Sequence, residues 1–185
     1  MTDIDKRSAR YSGFARLLHW LMAVLLLGLV GLGFYMLTLT YYDPWYQTAP
    51  NLHRSFGVVA FVLVSLRWGW RIINPPPALS DELKPWERVS AHLVHNLLYG
   101  LMFILPISGY FITTAKGESL NVFGLFTIPS LFGAITDQPI ANFEDVAGSI
   151  HLALAVALLV LVFIHAAGGL KHHFIDHGDS LSRML

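Results

Sequence analysis

The sequence predicts an all-α membrane protein, a bundle of four transmembrane helices, and three observations carry that reading. Of the 185 residues, 55% are hydrophobic and only 13% are charged, about half the charged share of an ordinary soluble domain. A water-soluble domain of this size has too little interior to hide that much apolar surface. Second, the chain holds four long runs almost free of charge, and three of them exceed the roughly 20 apolar residues that cross a bilayer core. Third, the basic residues gather on one side of those runs, as the positive-inside rule expects of a multi-pass chain.

The first run lies between Arg16 and Asp43 and predicts a helix over about 14–40. It is too long for a cleaved signal peptide and no small-residue cleavage site follows it, so it is expected to be a retained span. The second run, Ser55 to Leu66, reaches span length only by admitting Arg67. Its helix, about 52–73, should end before Pro75-Pro76-Pro77, because a residue ahead of proline resists the α conformation. The third, Val89 to Ala115, predicts a helix over about 89–115, with Ser90 or Asp81 as its N-cap. The fourth, Val146 to Leu170, predicts a helix over about 146–172 following Asn142. Trp45, Trp68, Trp70 and Trp86 sit near the expected ends, where aromatic belts form. One domain, 1–185, accounts for the whole chain.

Orientation follows from the basic residues. Lys6, Arg7, Arg10, Arg16, Arg67, Arg71, Lys84, Arg88, Lys171 and Arg183 fall on one side, against Arg54 and Lys116 on the other. Both termini are therefore expected in the cytoplasm. The stretch Asn121 to Pro129 on the outer side is apolar for a loop and should lie back as a cap.

Net charge is zero, which argues against a nucleic-acid partner, since phosphate binding needs a basic excess. The absence of cysteine excludes disulfides, iron–sulfur clusters, thiolate zinc sites and covalent c-type haem attachment. The unusual resource is histidine, nine residues against 12 Lys and Arg together.

An ionisable residue inside a span is a functional candidate by default. His151 and His165 lie 14 residues apart on the fourth helix, almost four whole turns, so they share a face and stand roughly 21 Å apart along the axis. Chain topology gives each a partner: His53 at the outer level and His19 at the inner level. Two pairs of imidazoles at two depths suit two six-coordinate haems stacked across the membrane. Zinc is the competing metal, but it prefers four ligands, and no carboxylate accompanies either pair. The same 14-residue step takes His19 to Gly33 and His53 to Arg67. A glycine there leaves room for a macrocycle, and a guanidinium suits a propionate. Gly57, Gly148 and Gly168 also lie on the ligand faces. His92 and His95 open the third helix and His172 and His173 follow the fourth, all on the inner side. One of them is the alternative to His19 as inner ligand.

These residues are carried in order by Tyr11 to Leu21, Asn51 to Gly57, Arg67 through the triple proline, Ala91 to His95, Phe123-Gly124-Leu125 before Pro129, Ile150-His151, and His165 to Phe174. In that order the chain resembles the bacterial di-haem cytochrome b561 family, related to the b-type subunits of nickel hydrogenases and formate dehydrogenases. The resemblance implies two b haems, with His53 and His151 on the outer iron and His19 and His165 on the inner. It also implies a bacterial inner-membrane location, membrane lipid around the bundle, and electron transfer involving the quinone pool. One branch of the family oxidises superoxide at the outer face and reduces ubiquinone. On that reading Arg54 and Lys116, the outer bases, guide the superoxide anion. Arg67, Arg71, His92, His95 and His172 bind propionates or quinone at the inner level. The alternative is an electron-transfer subunit that links a redox protein partner, a dehydrogenase or hydrogenase, to quinone.

Overall fold

The structure, a computed structural model, describes residues 10–77, 83–131 and 142–185. Four helices dominate it: α1 (Gly13–Met36), α2 (Thr48–Ile73), α3 (Pro85–Thr114) and α4 (Phe143–Phe174). All four are long and apolar enough to cross a membrane. Between α3 and α4 lies a small antiparallel hairpin, β1 (Leu120–Val122) and β2 (Phe126–Ile128).

The helix ends differ from expectation for local reasons. α1 stops at Met36, because the Asp43 carboxylate takes hydrogen bonds at 2.7 Å from both the N–H and the hydroxyl of Thr40. A side-chain-bonded turn of this kind competes with helix. α3 starts one turn early, at Pro85, where proline's missing N–H costs nothing. The Glu87 carboxylate, three residues beyond the cap, accepts from the Lys84 N–H at 3.0 Å. Ser90, expected as the cap, is therefore inside the helix, and Asp81 lies outside the described residues. Asn142 does precede α4, in a left-handed conformation (φ 60) that asparagine tolerates. Arg67 is taken into α2, which reaches 26 residues by including it.

α3 packs along α4, α1 along α2, and α2 along α3. Among the described residues α4 packs closely on α3 alone, so it stands off α1 and α2. The buried layer is thin. Met22, Val64 and Tyr99 form one cluster, and Leu98, Leu105 and Leu158 another. Leu158 is seven residues from both His151 and His165, so apolar packing fills the middle depth and leaves a histidine level on either side.

Polar contacts tie the bundle at both ends. At the end expected to face outward, Lys116 pairs with Glu144 at 2.7 Å, which also holds the lysine's proton more tightly than usual. At the opposite end, Lys171 reaches Glu87 at 2.6 Å and Asp176 at 2.7 Å. The hydrogen bonds from Lys171 and His172 keep the Asp176 carboxyl below the usual carboxylate range. The C-terminal segment returns to α1: Trp20 Nε1 donates to the Met184 carbonyl at 2.9 Å and the Arg16 guanidinium donates to that of Leu185.

The apolar outer loop is a cap, built as a hairpin the sequence did not announce. Its turn is closed by the Leu125 N–H donating to the Val122 carbonyl at 2.9 Å. Phe123 (φ 52) and Gly124 (φ 74) are both left-handed, the pairing that matches strand twist. For phenylalanine that conformation is strained. The turn is pinned by the Phe123 N–H donating to Ser55 Oγ at 2.9 Å and by edge-on contact with the Phe56 ring. Tyr110 anchors the other strand, donating to the Pro129 carbonyl at 2.7 Å and accepting from the Leu131 N–H at 2.9 Å. The cap therefore rests on the helix turn that carries His53.

Candidate functional site

Helical periodicity turns four histidines into two facing pairs. At the outer level the ring centres of His53 on α2 and His151 on α4 lie 6.1 Å apart. At the inner level those of His19 on α1 and His165 on α4 lie 6.2 Å apart. Each pair spans a gap between helices that do not pack closely. Two metal–imidazole bonds of about 2.0–2.1 Å, with the radius of each ring added, come to about 6 Å. Both separations thus suit one metal ion held between two axial imidazoles.

The space around the outer pair suits a large flat ligand. A cavity of about 870 Å³ adjoins His53 and His151, within the range of cofactor pockets. Gly57 and Gly148 line it, and a Cβ on either would face open space. Gly33 and Gly109 have a different part. A Cβ at Gly33 would meet His53 Cε1 at 3.3 Å, and one at Gly109 would meet His151 Cε1 at 3.3 Å. These two glycines seat the imidazoles. His151 is also held through its Nδ1, 2.9 Å from Ser108 Oγ.

At the inner level a third imidazole joins the pair. His95 lies 5.1 Å from His165 between ring centres, closer than two axial ligands of one metal would stand. That spacing favours His19 over His95 as the second ligand. Arg67 lies near enough for its charge to be felt at His19, His95 and His165. Its Nε donates to the Tyr99 hydroxyl at 3.1 Å, and Arg71 stacks over the same ring at 5.6 Å. Tyr99 therefore gathers both arginines beside the inner pair. His92 is exposed one turn before His95. His172 Nδ1 meets the Asp176 carboxylate at 2.6 Å, next to Glu87 and Lys171. Glu87, His172 and Asp176 lie close enough to share a metal ion, but the Lys171 ammonium already bridges the two carboxylates.

Both outer bases border the cavity. Among the described residues Arg54 donates to two neutral acceptors, the Pro50 carbonyl at 3.2 Å and Asn51 Oδ1 at 2.5 Å, at the border of the cavity. Lys116 spends much of its charge on Glu144.

Residues 10–185 match the family model described as prokaryotic cytochrome b561. The chain belongs to that family. It is 42% identical to cytochrome b561 homolog 2 of Escherichia coli (strain K12) over 176 residues, covering 95% of this chain and 91% of the relative. It is 30% identical to the probable superoxide oxidase CybB of Yersinia pestis over 146 residues, 78% and 77% of the two chains. Cytochrome b561 homolog 1 of Escherichia coli (strain K12) is 26% identical over 147 residues, 76% of each chain. As a cytochrome b561 the chain is a multi-pass b-type electron-transfer protein that binds haem, and the paired imidazoles and the glycine-lined cavity fit that group.

Sequence reasoning about this cytochrome missed Ser108, Gly109 and Tyr99. Gly109 was within reach: the step of 14 that takes His19 to Gly33 also takes His95 to Gly109. It also gave Gly33 to the macrocycle, whereas the structure sets that glycine against the His53 ring. Gly33→Ala and Gly109→Ala are each expected to displace an outer imidazole by a few tenths of an ångström. Overpacking of this kind costs about 1–3 kcal/mol. Redox-difference spectra should show the outer haem weakened in both variants and the inner haem unchanged. Equal effects on both haems would contradict the depth assigned to the two glycines.

Proposed function

We propose that the protein is a transmembrane superoxide:ubiquinone oxidoreductase with two b haems, the outer held by His53 and His151 and the inner by His19 and His165. The observation that carries the reading is the matched pair of imidazole separations, 6.1 and 6.2 Å, at the two ends of one helix face. When bound, the two haems supply one-electron carriers at two depths. Overall, two superoxide ions lose one electron each to become dioxygen, and one quinone takes up two electrons and two protons to become quinol. The superoxide part is supported by the relative named a probable superoxide oxidase. The excess of basic residues on the side of both termini supports a cytoplasmic position for them.

The chain's own groups divide the remaining work. Superoxide is a small anion and needs an electropositive approach more than a shaped pocket. Arg54, one residue from His53 and without an acidic partner among the described residues, is the main guide, and Lys116 contributes less because of Glu144. At the inner level Tyr99 orients Arg67 and Arg71 toward propionates. His95 and His172 are the inner-level imidazoles without ligand duty, and they are the groups placed to hold and pass protons to quinone as general acids.

The deciding experiment adds superoxide to the purified, oxidised protein and follows haem reduction, then quinol formation. Prompt reduction supports the reading, and none contradicts it. Changing Arg54 and Lys116 together to Gln should slow that reduction and flatten its dependence on ionic strength, because salt screens the attraction. Arg54→Gln alone should produce most of the effect. An unchanged rate and salt slope in the double variant excludes guidance by these bases. The second reading is an electron-transfer subunit for a partner dehydrogenase or hydrogenase, and the relative at 42% identity is named as a cytochrome b561 homolog without a substrate. A partner that co-purifies in fixed stoichiometry supports it.

A further inference from the structure

Helix α3 presents Leu105-Pro106-Ile107-Ser108-Gly109 to the outer imidazole of α4. Ser108 is 8% exposed. Its hydroxyl lies 2.8 Å from the Leu105 carbonyl and 2.9 Å from His151 Nδ1. A hydroxyl has one proton, and a carbonyl can only accept. The proton goes to the Leu105 carbonyl, which also accepts from the His151 ring, and the oxygen turns a lone pair toward His151. The contact at 2.9 Å is then a hydrogen bond donated by Nδ1–H. In that tautomer Nε2 has no proton and is the only ring nitrogen free to bind a metal. Gly109, the next residue, leaves space for the edge of the same ring. His53 has the Leu29 backbone beside its ring and no side chain bonded to its Nδ1 among the described residues, so the outer pair differs in its side-chain support.

We propose that Ser108 is a positioning residue for the outer centre: it holds His151 in the Nδ1–H tautomer and tunes the ligand's basicity. The inference rests on the reading of His151 as an axial ligand. Partners that accept the second ring N–H of a metal-bound histidine fix its orientation and make it a stronger donor. A stronger donor favours the oxidised metal, so the hydroxyl should lower the outer midpoint potential.

The test uses the purified haem-loaded protein and three variants, Ser108→Ala, Ser108→Thr and Ser108→Cys. Two quantities are read for each haem: the rate of its transfer to an excess of an apo-globin acceptor, and its midpoint in a redox titration. In Ser108→Ala the outer haem is expected to leave at least about tenfold faster and its midpoint to move upward, with the inner haem unchanged. Ser108→Thr, which keeps the hydroxyl, should restore both. If the alanine variant does not accumulate, Ser108→Cys, a weak acceptor of similar size, is expected to give the same signs at smaller amplitude. An alanine or cysteine variant with wild-type values, a downward midpoint shift, or a threonine variant that behaves like alanine overturns the role of Ser108. A His151→Ala protein that keeps both haems overturns the ligand reading instead, and the proposal with it.

Discussion

His151→Ala is expected to leave one haem per chain, the inner one, and His165→Ala to leave only the outer one. The two histidines share a helix face but stand 14 residues apart, so each serves one level. The packed layer around Leu158 separates those levels, and the loss of one haem should not propagate to the other. Each variant gives up one of two axial bonds, and its cavity keeps only a single imidazole to hold the ring. The residual proteins are also expected to differ in reactivity: superoxide should reduce the haem that survives in His165→Ala and leave the one in His151→Ala oxidised on the same timescale. Loss of the same haem from both variants, judged by the surviving midpoint, would break the assignment of depths.

Replacing the inner histidines that have no ligand duty should cut quinone reduction while both haems stay bound. The structure ranks them. His95 touches His165 edge to face at 5.1 Å, so His95→Gln should act most strongly. His172 is held in place by Asp176 at 2.6 Å, and His172→Gln should come next. His92 is exposed and should matter least. General acid–base groups contribute about 10²–10⁴-fold, so a loss of at least tenfold is expected for the first two. Quinone reduction is followed with haem content measured on the same samples. If His92, His95 and His172 can each be changed to Gln with full rate and both haems, the inner quinone site is wrong. The space under the Phe123–Pro129 cap is then the better location.

The parts of the fold that periodicity controls were legible. Four charge-poor runs became four helices, and the step from His151 to His165 placed two levels on one face. A helix end is decided by single hydrogen bonds, and there the pattern was silent: Thr40 with Asp43 shortens α1, and Glu87 with Lys84 lengthens α3. The hairpin was hidden because each strand has three residues and its turn carries a phenylalanine in a conformation normally left to glycine. Long-range contacts leave no trace in local pattern. Glu87 and Lys171 are 84 residues apart, as remote in sequence as they are adjacent in space. Chain topology put His19 ahead of His95 as the inner partner of His165, but left His95 as an alternative because both lie on the inner side. Their ring distances to His165, 6.2 and 5.1 Å, are what separate them.

The central claim is that four histidines at two depths hold two haems. Pyridine haemochrome analysis of the purified protein, against a protein concentration from amino-acid analysis and with haem supply saturating during expression, tests it most directly. The account predicts two b-type haems per chain. One haem per chain, or none, would contradict it.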